Sequence, residues 1–242
     1  MDVSYEEKYH QLEESYWWFK ARRHFILDLL KGENKNSRIL ELGCSGGQLL
    51  TDLESLGFKN VHGLDISNSA IQLCRKRGLK SVQVCDAAKT KFRNSEFDIV
   101  IASDILEHIK DERKGLSEWS RILKKNGKLI IFVPAFNSLW SRHDDLNQHY
   151  RRYSRKQLLS SLRNQAFLIE ESSYWNFFMF IPVALLRLAQ KIIPSNSTDD
   201  LYTINPIVNN LLICLLKLEN FLLKFMKFPF GISAFAIAKK LA

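Results

Sequence analysis

Cysteine is scarce and scattered in this 242-residue chain: Cys44, Cys74, Cys85 and Cys214 include no C-x-x-C pair and no Cys/His cluster at zinc spacing. A disulfide scaffold is excluded, a structural metal is not expected, and the thiols read as reduced, as in cytosolic proteins. Long apolar runs are missing too. A membrane span needs about 18 to 20 consecutive apolar residues. The two longest uncharged runs, 174–186 and 201–216, fall short and are interrupted by Pro182, Asn205, Pro206, Asn209 and Asn210. The N-terminus, MDVSYEEKYHQLEE, is acidic where a signal peptide would be basic and then apolar, so export is not expected. Acidic residues are outnumbered, 26 against 35 Lys and Arg, and the resulting +9 favours anionic partners: phosphate groups, nucleic acid or an inner-leaflet surface. No internal repeat or low-complexity tract is visible. What is present is an ordinary globular composition, 46% hydrophobic and 25% charged, in a chain long enough for a full α/β sheet with helices on both faces.

After a first helix over residues 5–31, short apolar runs alternate with helical stretches, the pattern of a parallel sheet with crossover helices. SRILELG (37–43) reads as a strand entering a Gly-rich turn, QLLTDLESLG as a helix ended by Gly57, and NVHGLDI (60–66) as a second strand. SAIQLCRKRG follows as a helix closed by Gly78, and SVQVCDA (81–87) as a third strand. FDIVIAS (97–103), apolar on both faces, suits the sheet centre. The spacing predicts a helix over 111–125 ending at Asn126-Gly127, then a fifth strand, KLIIFVP (128–134), stopped by Pro134. Residues 135–153 show neither period. SRKQLLSSLRNQAF resumes as a helix with Ser154 as N-cap. Residues 167–175 suit a sixth strand and GISAFAIAKK (231–240) a last one, which leaves an apolar, helical insertion between them.

The chemistry-bearing signal starts at ILELGCSGGQLL, where Glu41 at a strand end is followed by Gly43, Ser45, Gly46 and Gly47 and then a helix. Glycines let the backbone pass close to a ligand, and a helix N-terminus offers unpaired amides and partial positive charge. By itself such a turn is also ordinary tight-turn chemistry. Asp65, ending the next strand 24 residues after Glu41, adds a carboxylate placed to accept hydrogen bonds from two ribose hydroxyls. A phosphate-binding P-loop is excluded because no Gly-Lys-Ser/Thr follows, and the turn lacks the G-x-G-x-x-G spacing of a dinucleotide site.

With these residues the chain resembles the class I S-adenosylmethionine (SAM) dependent methyltransferases, in particular the small-molecule and quinone-type O-methyltransferases, over roughly residues 37–134. ELGCSGG looks like the family's E/D-x-G-x-G-x-G loop, with Glu41, Gly43 and Gly47 matching and Ser45 replacing the middle glycine. GLDIS is similar to the second motif and implies Asp65 on the ribose with Ile66 against the adenine. VCDAA is similar to the third, implying Asp86 near the adenine amino group with Ala87 beside it. FDIVIASDILEHI resembles the fourth, in which the backbone near Ser103 faces the methionyl part and Glu107-His108 opens the next helix toward substrate. KKNGKLIIFVP looks like the family's turn and fifth strand. The resemblance implies an α/β fold with a doubly wound, Rossmann-like seven-stranded sheet whose last strand is antiparallel. It also implies a single methyltransferase domain over 1–242, SAM as donor with S-adenosylhomocysteine as product, and no metal.

Three segments outside the motifs carry alternatives. SYWWFKARR places Tyr16, Trp17, Trp18 and Phe19 ahead of the sheet. They either pack a helix onto the core or make residues 1–31 a lid over the cofactor, with Trp18 and Arg22 sharing a face and Arg22 pairing the methionyl carboxylate. WSRHDDLNQHYRRYSRKQ follows the fifth strand, where open α/β sheets bind ligands. There His143 and His149 suit general bases, and Tyr150, Arg151 and Arg152 suit a substrate phosphate or carboxylate. His108 either joins them as a catalytic residue or is satisfied by backbone. The plainer alternative is a solvated basic loop with His149 capping a helix. In the insertion, 177–229, Leu211, Leu215, Leu218, Leu222 and Phe225 recur at helical spacing with Lys217, Lys224 and Lys227 between them. That pattern suits burial in the domain or a homodimer interface, an apolar cap over a lipid-like substrate, or contact with an anionic bilayer.

The expected function is therefore transfer of the SAM methyl group to an oxygen of a small, lipid-like or lipid-linked anionic acceptor. The protein is expected in the cytoplasm, either free or peripheral on the inner membrane face. One rival is a nucleic-acid or protein methyltransferase, disfavoured because no aromatic-basic single-strand platform, appended RNA-binding domain or N-P-P-Y-type tetrapeptide is found. The other is a catalytically silent SAM-binding partner subunit, against which the intact cofactor motifs speak.

Overall fold

The computed structural model describes residues 12–192 and 204–241; the beginning of the expected first helix lies outside the described residues. Helix α1 (Trp17–Leu30) buries Trp17, Ala21, Phe25, Ile26 and Leu30, a stripe that lies on the sheet. Phe25 meets Phe132 and Phe235 edge-on at 5.8 and 5.1 Å. The chain then alternates: β1 (Arg38–Leu42), α2 (Gln48–Ser55), β2 (Asn60–Asp65), α3 (Asn68–Lys76), β3 (Val82–Val84), β4 (Phe97–Ser103), α4 (Glu112–Ile122) and β5 (Leu123–Pro134). Then come α5 (Arg142–Leu146), α6 (Arg155–Arg163), β6 (Phe167–Trp175), α7 (Phe180–Ile192), α8 (Pro206–Leu222) and β7 (Ser233–Lys240).

Among the described residues seven strands form one sheet, in the order β3-β2-β1-β4-β5-β7-β6. Strands β1 to β5 pair in parallel. β7 runs antiparallel between β5 and β6, with Ile237 opposite Ile130 and Ala236 opposite Ser172. This is the doubly wound sheet with an antiparallel last strand. Central strands covered on both faces must be apolar throughout, and Ile99 to Ala102 of β4 and Leu129 to Val133 of β5 are all buried. Strand order reverses between β1 and β4, so the connections leaving them part and open a crevice at their carboxyl ends.

Local chemistry sets most boundaries. Gly57 and Gly78, following α2 and α3, take φ of +90° and +88°, the left-handed helix stop that glycine adopts without strain. The Ser154 hydroxyl accepts from the Gln157 amide at 3.2 Å and caps α6, as expected. The helix expected over 111–125 stops early, at Ile122. Leu123 turns extended, pairs with Phe97 of β4 and is buried, while Lys124 reaches Asp98 at 2.8 Å, so Asn126-Gly127 falls inside β5. β3 is also shorter than its expected span, which leaves Asp86 and Ala87 in the loop beyond it; Trp119 Nε1 donates to the Ala87 carbonyl at 2.9 Å and holds that loop.

Candidate active site

A cavity of about 860 Å³ opens at the carboxyl ends of β1, β2, β4 and β5. One wall begins in the β1–α2 turn, where Gly43, Ser45 and Gly47 take φ of +66°, +47° and +80°. Glycine enters that region freely and serine at some cost. A Cβ on Gly43 would lie 1.9 Å from Ile105 Cδ1, so only glycine lets the turn pass beneath the loop after β4. Asp65 ends β2, its two carboxylate oxygens accepting from the Ser45 and Ser67 amides at 2.9 Å each. Ile66, 77% exposed, offers an apolar platform beside it. Asp86, Ala87 and Ser103 also line this wall, and the buried Ser103 Oγ has no hydrogen-bond partner among the described residues. A close-passing turn, a carboxylate at a strand end, an apolar platform and an orphaned hydroxyl fit an adenosyl and methionyl group. Glu41 and Gly47, expected as contact residues, do not line the cavity. Glu41 lies buried behind the turn, where burial and the charges of Glu13 and Cys74 push its carboxyl well above the usual range. Gly47 starts α2, and a Cβ there would meet Leu79 Cδ1 at 2.5 Å.

The opposite wall comes from the aperiodic stretch after β5, which is ordered around one buried carboxylate. Ser141 and Asp144 form a capping box on the short helix α5. Asp144 is fully buried and accepts from Arg152 Nε at 2.7 Å, Arg152 Nη2 at 2.9 Å, His149 Nδ1 at 2.8 Å and the Ser141 amide at 2.8 Å. Burial alone would raise Asp144. The hydrogen bonds from His149 and Arg152, the Arg152 charge and the Ser141 amide outweigh it and hold the carboxyl well below the usual carboxylate range. An ionised Asp144 fixes the His149 proton on Nδ1, leaving Nε2 as the basic nitrogen of a residue that lines the cavity. The rings of His108 and His143 stand edge-on to His149 at 4.6 and 6.2 Å, so the three histidines singled out in the sequence do meet. Burial and the neighbouring His149 charge push His108 down to about 4, and burial and Arg187 push His143 down to about 4. Both are neutral near pH 7 and weak as proton acceptors. Glu107 is fully buried on the same wall, with neither carboxyl oxygen meeting a hydrogen-bond partner among the described residues; burial and the charge of Asp104 raise it well above the usual range. Ligand atoms of Glu107, His108 and His149 lie within 4.8 Å of one another, a spacing that could hold a cation.

Residues 40–131 match a family model described as a methyltransferase domain. Residues 40–131 thus carry the pattern of a methyltransferase domain. A tRNA (carboxymethyluridine(34)-5-O)-methyltransferase of Xenopus tropicalis is 30% identical over 154 residues, 61% of this chain and 22% of that protein. The ubiquinone biosynthesis O-methyltransferase of Pelagibacter ubique is 32% identical over 107 residues, 43% of each chain. The crystal structure of a SAM-dependent methyltransferase from Archaeoglobus fulgidus superposes with a TM-score of 0.63 at 21% identity, covering 96% of this chain and 99% of that one, a likeness of fold. The chain spans less than two thirds of the length of the first curated relatives it matches.

Outside the matched residues, Arg22, Arg151 and Arg152 each already pair with an acid of this chain. Trp18 shares a face with Arg22, whose guanidinium lies 5.0 Å from the Trp18 ring centre, 5.3 Å from that of Trp175 and 5.6 Å from that of Phe132. Arg22 is buried, pairs with Asp104, at φ +53°, and does not line the cavity, and among the described residues its Nε and Nη2 meet no hydrogen-bond partner. Arg152, expected to hold a substrate anion, is committed to Asp144 and, at 3.1 Å, to the Ala135 carbonyl. Arg151 donates to the Lys110 carbonyl at 2.5 Å and lies 3.5 Å from Glu112, away from the cavity. Tyr150 does line it, as do Tyr16, Trp17, Trp18 and Phe19 of the N-terminal segment. The helix-capping alternative for His149 gives way to its pair with Asp144. Asp144 itself escaped the sequence reading, although the Ser-x-x-Asp spacing at 141–144 is a helix-start signal that could have found it. Arg187 of α7, a cavity residue, was likewise not singled out.

Proposed function

We propose that this methyltransferase moves the SAM methyl group to an oxygen of a small, lipid-like or lipid-linked acceptor bearing an anionic group, with His149 as general base. The observation that carries the reading is the carboxylate-held His149, which shares one cavity with Asp65 and with an apolar wall of Met179, Val183, Leu186, Ile204 and Leu212 from the insertion. When bound, SAM supplies a methyl group on a sulfonium that departs as a neutral thioether without acid assistance. The protein must then align the acceptor oxygen with that methyl carbon and remove its proton. His149 Nε2 would take the acceptor's hydroxyl proton, and ionised Asp144 would stabilise the resulting imidazolium. A carboxylate has about four acceptor directions, so Asp65 can serve ribose hydroxyls as well as the two loop amides. Ile66 and Ala87 flank the adenine with Asp86 at its edge, and the turn at Gly43 and Ser45 runs with Ser103 along the methionyl part. Arg187 suits the acceptor's anionic group. A cytoplasmic setting belongs to the same reading, supported by four free cysteines.

The test is transfer of radiolabelled methyl from SAM into cell extract of the source organism by wild type and Asp65→Ala, with products partitioned into organic, small aqueous and macromolecular fractions. Label that appears in the organic fraction and is lost with Asp65→Ala is expected. Variant-sensitive label in the small aqueous fraction would overturn the lipid-like acceptor. Label in the macromolecular fraction would favour a second reading, nucleic-acid methylation, which the +9 charge and the tRNA methyltransferase relative support.

A further inference from the structure

We infer that α7 and α8 form a docking face for an anionic lipid bilayer, opening the acceptor side of the cavity toward the membrane. The inference rests on the lipid-like acceptor and names the surface that would present it. Helix α8 buries polar anchors beside Ile213 and Leu216 and leaves an apolar line exposed. Its inward side is anchored by polar groups: the buried Glu219 accepts from the amides of Asn176, Phe177 (2.9 Å) and Phe178 (3.2 Å). Asn220 accepts from Trp175 Nε1 at 2.8 Å, and Asn209 accepts from the Trp17 amide and donates to the Ser15 carbonyl, both at 2.9 Å. Its outward side is apolar. Ile207, Leu211, Cys214, Leu218, Phe221 and Phe225 recur at alternating steps of four and three residues, one line along the helix and the turn after it. Ile207 is 71%, Leu211 64% and Phe225 74% exposed. An exposed line of bulky apolar residues departs from the polar outer face of a water-facing helix, and contiguous apolar surface of this kind marks an interaction site. On α7, Ile181, Leu185 and Leu188 are exposed at the same spacing, and Leu186 is exposed while also lining the cavity. The apolar surface and the acceptor wall are thus continuous through one side chain.

Charge selects the occupant. The exposed Lys217 and Lys224 stand seven residues apart on one flank of the α8 stripe, with exposed Lys227 beyond it and Arg187 on α7. Glu219, buried, is the one acid in the two helices. A second copy packed on this stripe would meet lysines with no exposed carboxylate among the described residues of the two helices, whereas flanking charges of opposite sign are what favour helix pairing. Anionic headgroups supply the missing countercharge. No described helix is long and apolar enough to cross a membrane, so the contact lies in the plane of the interface.

Co-sedimentation of the full chain with phosphatidylcholine vesicles, with and without phosphatidylglycerol, reads docking in the absence of any acceptor. Binding to the anionic vesicles and not to the neutral ones is expected. Lys217→Gln/Lys224→Gln should bind about thirtyfold more weakly, from the loss of two headgroup attractions. Leu211→Asp/Phe225→Asp should not bind, and both variants should keep wild-type SAM affinity, which reports that they fold. Failure of wild type to sediment with anionic vesicles, or undiminished sedimentation of Leu211→Asp/Phe225→Asp, would overturn the inference. So would a concentration-dependent dimer in sedimentation velocity that this variant abolishes, because the face would then belong to a second copy. The vesicles contain no acceptor, so loss of docking with methyl label still in the organic fraction refutes the surface alone, and loss of that label with docking intact refutes the acceptor alone.

Discussion

A buried carboxylate stays ionised only where its donors outweigh the cost of leaving water, and Asp144 gathers two guanidinium nitrogens, an imidazole and an amide. Its neighbours therefore have separable roles. His149→Gln removes the base and is expected to lower kcat by about 10²–10⁴, while SAM affinity stays at the wild-type value. Asp144→Asn keeps the shape but not the charge, so kcat falls and the pH dependence of kcat changes with it. Arg152→Met strands the Asp144 charge and should cost about 3–5 kcal/mol of stability in a urea titration. On the opposite wall, Gly43→Ala combines a strained φ with a collision against Ile105 and should weaken SAM binding in calorimetry while leaving far-UV circular dichroism unchanged. The places of Gly43 and Asp65 on the cavity wall were legible in the sequence because they follow from local backbone and from one strand-to-strand spacing. Asp144 was not, because its donors at 141, 149 and 152 converge through a loop without period. For Arg22 and Arg152 the sequence displays the charge but not the carboxylate that neutralises it.

At the scale of elements, β4 and β5 could be read directly, since strands covered on both faces are apolar throughout. The end of α4 could not. Its helical pattern continues past Ile122, but pairing of Leu123 with Phe97 and the Lys124–Asp98 contact commit those residues to the sheet. The insertion shows the same limit in another form. Helical spacing revealed that α8 has an apolar stripe but not which way it faces, because direction is set by Asn209, Glu219 and Asn220, polar residues that look like surface positions. Leu211, Leu218 and Phe225, expected in a buried or covered stripe, are exposed, while Ile213 and Leu216 are buried. Removing an anchor should therefore hurt more than altering the stripe. Glu219→Ala leaves three amides without their acceptor, at about 1–3 kcal/mol for each group that stays buried and unpaired. Leu211→Asp should stay within about 0.5 kcal/mol of wild type. Paired thermal melts of the two variants read the difference.

For the whole molecule, the doubly wound topology brings the two walls of the cavity to one crevice, and the histidines packed there tie stability to pH. His108 and His143 titrate near 4 in the folded protein and near about 6.5 when unfolded. As pH falls from about 6.5 toward 4, the unfolded chain binds protons that the native state refuses, so stability declines across that window. Asp144 has the depressed carboxylate's sign: its contribution is present above an unfolded pKa of about 3.9 and is lost as pH falls below it. Urea midpoints should therefore drop between neutral pH and about pH 4.5, and drop less in His143→Asn, which has no imidazole to protonate. Seven strands, the central place of β4 and the antiparallel last strand could be anticipated because α/β sheets repeat one local unit; the cavity wall made of a loop and an insertion repeats nothing. The measurement that bears most directly on the central claim, that the methyl donor sits in this crevice against Asp65, is a calorimetric titration of SAM into wild type and Asp65→Ala. Saturable binding by wild type, weakened about 10- to 100-fold in the variant by loss of hydrogen bonds to a charged group, is the expected result. Equal affinity in the two proteins, or no binding by either, would contradict it.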